Sequence, residues 1–126
     1  MSATRPDAAR ISLRRNGSEL VASVRGPVNG ETAPSIEARL APELSGGGAL
    51  VLDLTGADYL DSDGVRWLQE LAGDLAERRA GLCVVVAEGS PAQRVLRLLR
   101  LEGPLGVRAA SASLPDAGEE LVGTPA

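Results

Sequence analysis

Asp61-Ser62-Asp63-Gly64 is the run whose residue types and spacing could carry chemistry. A hydroxyl stands between two carboxylates, immediately before a glycine. A serine so placed has two readings. It can cap a helix, its oxygen accepting a backbone N–H of the first turn. It can instead accept a phosphoryl group, whose charge of about −1.5 to −2 changes what the turn can bind. The carboxylates are equally two-sided, because acidic side chains suit a first helical turn, and Asp61 could orient the Ser62 hydroxyl.

The remaining composition removes most other chemistries. Histidine is absent, so Ser-His-Asp and Cys-His catalysis have no base. All 13 cationic side chains are arginine, which excludes a Schiff-base or phosphate-loop lysine. The one cysteine, Cys83, lies in the apolar run 82–86 and reads as a small buried hydrophobe. With no histidine and one cysteine, neither a metal site nor a cofactor is expected, and catalysis by this chain alone is not expected either. A net charge of −4 and only two aromatic residues argue against nucleic acid as a direct partner. No stretch approaches the ~18 apolar residues of a membrane span. The polar start of the chain lacks the apolar core of a signal peptide, so cytoplasm is the expected compartment.

The elements around Ser62 follow from periodicity. The run 49–54 is almost continuously apolar, as in a central strand, and 64–79 is amphipathic, with Val65, Leu68, Leu71, Ala72, Leu75 and Ala76 on one face. At ~100° per residue, Trp67 lies a quarter-turn or more off the centre of that face. It is either packed at the edge of the core or an anchor for a partner, a role in which tryptophan is enriched. Upstream, strands at 11–15 and 20–24 flank Asn16-Gly17, which predicts a hairpin with a type I′ turn. Gly26-Pro27 is expected to end the second strand. Thr32 then caps a helix with the stripe Ala33, Ile36, Leu40 and Leu44, which Pro42 should end or kink near Ala41.

Downstream, Gly81 should terminate the second helix before a buried strand at 82–87. Ser90, Pro91 and Gln93 make a capping box ahead of a third helix whose inward stripe is Val95, Leu96 and Leu99. Gly103 should end that helix before a last strand at 105–109. Arg94, Arg97 and Arg100 form a stripe that reads as a solvated face, or as a contact for an acidic partner or nucleotide. The order β-β-α-β-α-β-α-β predicts one α/β domain, a mixed sheet of about five strands with three to four helices on one or both faces. Residues 1–10 are expected to be a flexible lead and 114–126 a disordered acidic tail.

The stretch 51–65, through Asp53, Thr55, Gly56, Asp61, Ser62 and Gly64, resembles the central signature of STAS domains, the anti-sigma-factor-antagonist fold. Gly26-Pro27-Val28-Asn29-Gly30-Glu31-Thr32-Ala33 resembles the family's turn before its first helix. Residues 87–91, 95–99 and 101–103 resemble its last helix and following turn. The resemblance spans about residues 11–113. It implies that Ser62 matches the phosphorylated serine of the bacterial antagonists. It also implies partner switching: the unmodified chain binds an anti-sigma factor of serine-kinase type, phosphorylation releases it, and a serine phosphatase restores it. The implied docking surface is Asp61, Ser62, Asp63, Gly64, Val65 and Trp67, with Asn29 and Glu31 on its rim. Asp63 stands where phosphorylated members commonly carry Ser, Thr or Ala, and Asn29 where aspartate is frequent. Other uses of the family are a STAS subunit docking constitutively on the ATPase of a lipid-transporting ABC assembly, or a nucleotide-binding regulatory module.

Overall fold

Residues Arg10–Asn16 and Glu19–Val28 form strands β1 and β2 of an antiparallel hairpin in a computed structural model that describes residues 8–44 and 47–110. The hairpin is where the sequence put it, but the turn differs. Asn16 pairs with Glu19, so the central residues are Gly17 and Ser18, and only Gly17 has positive φ, at 66°. A left-handed first position alone is the pattern of a type II′ turn, which needs glycine there. The expected lead 1–10 overlaps this hairpin, since β1 starts at Arg10; residues 1–7 and the expected tail 114–126 lie outside the described residues.

The chain continues through α1 (Ala33–Leu44), β3 (Leu50–Leu60), α2 (Ser62–Glu77), β4 (Leu82–Ala87), α3 (Pro91–Leu98) and β5 (Val107–Ala110). The sheet order is β1-β2-β3-β4-β5, antiparallel at β1 and parallel thereafter. Each crossover steps one strand in the same direction, and right-handed connections of that kind stack all their helices on one face. Burial agrees. Leu20, Ala22, Val24, Leu50, Leu52, Leu54, Val84 and Val86, alternate residues of three strands, are all but inaccessible. On the opposite face Asp53 accepts from the Ser23 hydroxyl at 3.2 Å and from Thr55 N and Oγ1 at 2.9 and 2.7 Å. The core is aliphatic apart from Trp67, in a chain that has no phenylalanine.

Several boundaries moved, each for a local reason. β2 runs through Gly26-Pro27 to Val28, because register shifts beside Pro27 remove the need for its missing N–H. β3 likewise extends past Leu54 to Leu60 alongside it. Helix α1 has the four predicted buried residues, Ala33, Ile36, Leu40 and Leu44, yet passes through Pro42. Arginine side chains hold its last carbonyls, Arg15 Nη2 donating to Glu43 O at 2.6 Å and Arg78 Nη1 to Leu44 O at 3.4 Å.

On α2, Ala76 is exposed and Ala72 half-buried, so the apolar face is narrower than its sequence suggests. Helix α3 keeps its predicted cap: Ser90 Oγ accepts from Gln93 N at 3.1 Å, and Gln93 Oε1 accepts from Gly89 N at 2.6 Å. Leu99, expected to face inward, is 52% exposed because the chain leaves the helix there through Arg100, at φ 58°. β5 starts at Val107 rather than Leu105, which is buried in the preceding turn.

Candidate functional site

The register of β2 with β3 brings their carboxyl ends level, Val28 opposite Leu60, and the site is built on those two ends. A single residue, Asp61, joins β3 to α2. Its N–H donates to Val28 O at 3.3 Å, and its carbonyl accepts from Val65 N at 2.9 Å. Its extended backbone (φ −101°, ψ −175°) lets Oδ1 accept from Gly64 N at 2.8 Å. Asp61 is therefore the helix cap. The reading of Ser62 as the cap is corrected, since Asp61 is the cap and Ser62 is already the first helical residue. Ser62 is exposed, and its hydroxyl has no hydrogen-bond partner among the described residues.

Gly64 sits under this turn for a steric reason. A Cβ there would collide with Val28 O and come within 2.8 Å of Leu60 Cδ1. Only hydrogen at this position lets the helix start so close to the strand ends. Asp63, on the exposed side, lies 3.7 Å through Oδ1 from Arg66 Nη1.

The turn before α1 forms the second wall. Asn29 Oδ1 accepts from the N–H groups of Glu31 and Thr32 at 2.8 and 2.9 Å, and Asn29 O from Ala33 N at 2.9 Å. The Thr32 hydroxyl reaches back, accepting from Asn29 N at 3.0 Å and donating to Pro27 O at 2.8 Å. This is a reciprocal capping arrangement, with Asn29 in the leading position and Thr32 answering it. Thr32, the predicted cap, serves α1 through its carbonyl instead, accepting from Ile36 N at 3.0 Å. A Cβ on Gly30 would lie 2.9 Å from Asp63 Oδ2, so this turn rests directly on the first turn of α2.

Asn29, Glu31, Asp61, Ser62 and Asp63 thus share one surface, Ser62, Asp63 and Glu31 exposed and Asn29 and Asp61 half-buried. Gly64, Val65 and Trp67 lie beneath it. Trp67 is 7% exposed, and its Nε1 donates to Glu37 Oε1 at 2.9 Å, tying α2 to α1.

Three residues of this region went unnoticed in the sequence. Glu37 had no local signal, because its partner is 30 positions away. Arg66 had one, its i,i+4 spacing from Ser62. Tyr59, 52% exposed near the end of β3, is the large aromatic side chain available at this end of the sheet. Arg94, Arg97 and Arg100 are all exposed, Arg100 lying past the end of α3, and Arg97 pairs with Glu102 at 3.5 Å. Among the described residues no group of three or more His, Cys, Asp or Glu side chains is placed to hold a metal ion. No helix among them is long and apolar enough to cross a membrane.

The model of the STAS domain matches residues 10–112. An anti-sigma factor antagonist from Mycobacterium paratuberculosis is similar in structure, with a TM-score of 0.72 and 25% identity over 91% of this chain and 95% of that one. The anti-sigma factor antagonist SpoIIAA in its unphosphorylated form gives a TM-score of 0.59 at 16% identity, over 91% of this chain and all of its own. A protein with a SpoIIAA-like fold from Shewanella loihica gives 0.57 at 15% identity, over 89% of this chain and 93% of its own.

Proposed function

We propose that this chain, which belongs to the STAS domain family, is an anti-sigma-factor antagonist that acts by partner switching. Unmodified, it docks through the surface of Asn29, Glu31, Asp61, Ser62 and Asp63, supported from beneath by Gly64, Val65 and Trp67. Its partner is an anti-sigma factor of serine-kinase type. That kinase transfers a phosphoryl group to the Ser62 hydroxyl and is released, and a serine phosphatase reverses the change. The chain works in the cytoplasm, without a cofactor and without catalysis of its own.

The observation that carries this reading is the division of labour at the turn. Asp61 satisfies the helix end, which leaves the Ser62 hydroxyl exposed and without a partner among the described residues. A serine needed only as a cap would have its oxygen on a backbone N–H. Charge at that position would be desolvated by a closely docked partner, and a ~10³-fold weakening corresponds to about 4 kcal/mol.

The test compares Ser62→Ala and Ser62→Asp for affinity to the anti-sigma factor, together with phosphopeptide mapping of the protein from its native cells. Ser62→Ala should retain binding, Ser62→Asp should weaken it, and the phosphate should map to Ser62. Equal affinities with no phosphate under any growth condition would reject the switch in favour of constitutive docking.

A further inference from the structure

We infer that Arg66 is the intrachain ligand of a phosphate on Ser62, leaving Asp63 for the phosphoryl group when the serine is modified. The inference rests on Ser62 being the phosphoacceptor and adds how the modified turn is held and what it displays.

Ser62 and Arg66 are four residues apart on α2, which puts them on the same side of the helix one turn apart. Helical side chains lean toward the N-terminus, so the Arg66 guanidinium extends back over the first turn. It already does so, with Nη1 lying 3.7 Å from Oδ1 of Asp63, the residue next to Ser62. Both members of that pair are largely in solvent, at 71% and 55% side-chain exposure, and exposed pairs of this kind are weakly held. Asp61 offers Arg66 less, because its Oδ1 is engaged by Gly64 N.

A phosphate on Ser62 would compete for Arg66 with about twice the charge of a carboxylate and three oxygens for the planar fork. The exchange has a consequence at the surface. Before modification, a neutral hydroxyl sits beside an Asp63–Arg66 pair whose charges offset each other. After it, Arg66 turns to the phosphate and Asp63 stands uncompensated. One modification would then place two negative groups on the docking surface.

The experiment uses the full chain with phosphoserine incorporated at position 62 during translation, so no kinase is involved. The second ionisation of the phosphate is followed by phosphorus NMR, at low salt, in the wild-type background and in Arg66→Gln and Arg66→Lys. Arg66→Gln should raise that pKa by about 0.15–0.4 unit, and Arg66→Lys should recover part of the difference. Added salt should shrink the effect. Superimposable titrations of wild type and Arg66→Gln would overturn the inference, whatever native cells show about phosphorylation. Conversely, absence of phosphate on Ser62 in cells would defeat the functional reading while leaving the titration result intact.

Discussion

Burial pushes the Cys83 thiol above its ordinary pKa, with Glu19 adding to the rise and Arg108 opposing it. Because the thiolate is the nucleophile, the folded chain should react with iodoacetamide near neutral pH more slowly than the same chain in denaturant. Equal rates would show that the thiol is not protected. Trp67 is buried while Tyr59 is half-exposed. Trp67→Phe removes the donor to Glu37 and should cost about 1–2 kcal/mol of unfolding free energy, read by denaturant titration. Tyr59→Ala, at a half-exposed position, should change stability by less than about 0.5 kcal/mol. It should nevertheless weaken anti-sigma-factor binding by about 1 kcal/mol or more. The reverse pattern, with Trp67 critical for binding and dispensable for stability, would identify Trp67 as the anchor.

Helix α2 is located by its two ends. At the first, Gly64→Ala would drive a methyl group into Val28 O and Leu60, and should destabilise the domain by about 1–3 kcal/mol. A neutral effect would mean that the strand ends can move apart. At the second, the chain leaves the helix at Arg79 rather than Gly81. Ala80 N donates to Leu75 O at 2.8 Å and Arg79 N to Ala76 O at 3.0 Å, the bonds of a Schellman motif with Arg79 in the left-handed position at φ 58°. Helix α3 repeats this at Arg100, with Leu101 N donating to Leu96 O at 2.9 Å. Glycine adopts that conformation without the Cβ penalty, so Arg79→Gly should raise the unfolding free energy by about 0.5–1 kcal/mol, seen as a higher denaturation midpoint. A loss of stability would mean that the arginine side chain contributes more than its backbone strain costs.

At the scale of the molecule, stability and recognition should separate at Ser62. An acidic residue in the first turn of a helix is favourable by about 0.3–1 kcal/mol, so Ser62→Asp should hold or slightly raise the denaturation midpoint. Binding of the anti-sigma factor should fall at the same time. A parallel loss of both would place the effect in the fold and not in the interface. The order of elements, the largely aliphatic core and the Asp61-Ser62-Asp63-Gly64 turn were legible in the residues alone. All of these rest on local periodicity, on turn-forming residues and on which side chains are absent. The stripe of α1 and the Ser90 cap were legible for the same reason. Tertiary structure decided what depends on distant partners. Pro27 stays in a strand because β3 shifts register beside it, and α1 passes Pro42 while Arg15 and Arg78 hold its last carbonyls. Trp67 is packed in the core, with its N–H received by Glu37, 30 residues earlier. Gly64 is required because two strand ends meet a helix start at one point, a coincidence in space that no sequence window contains.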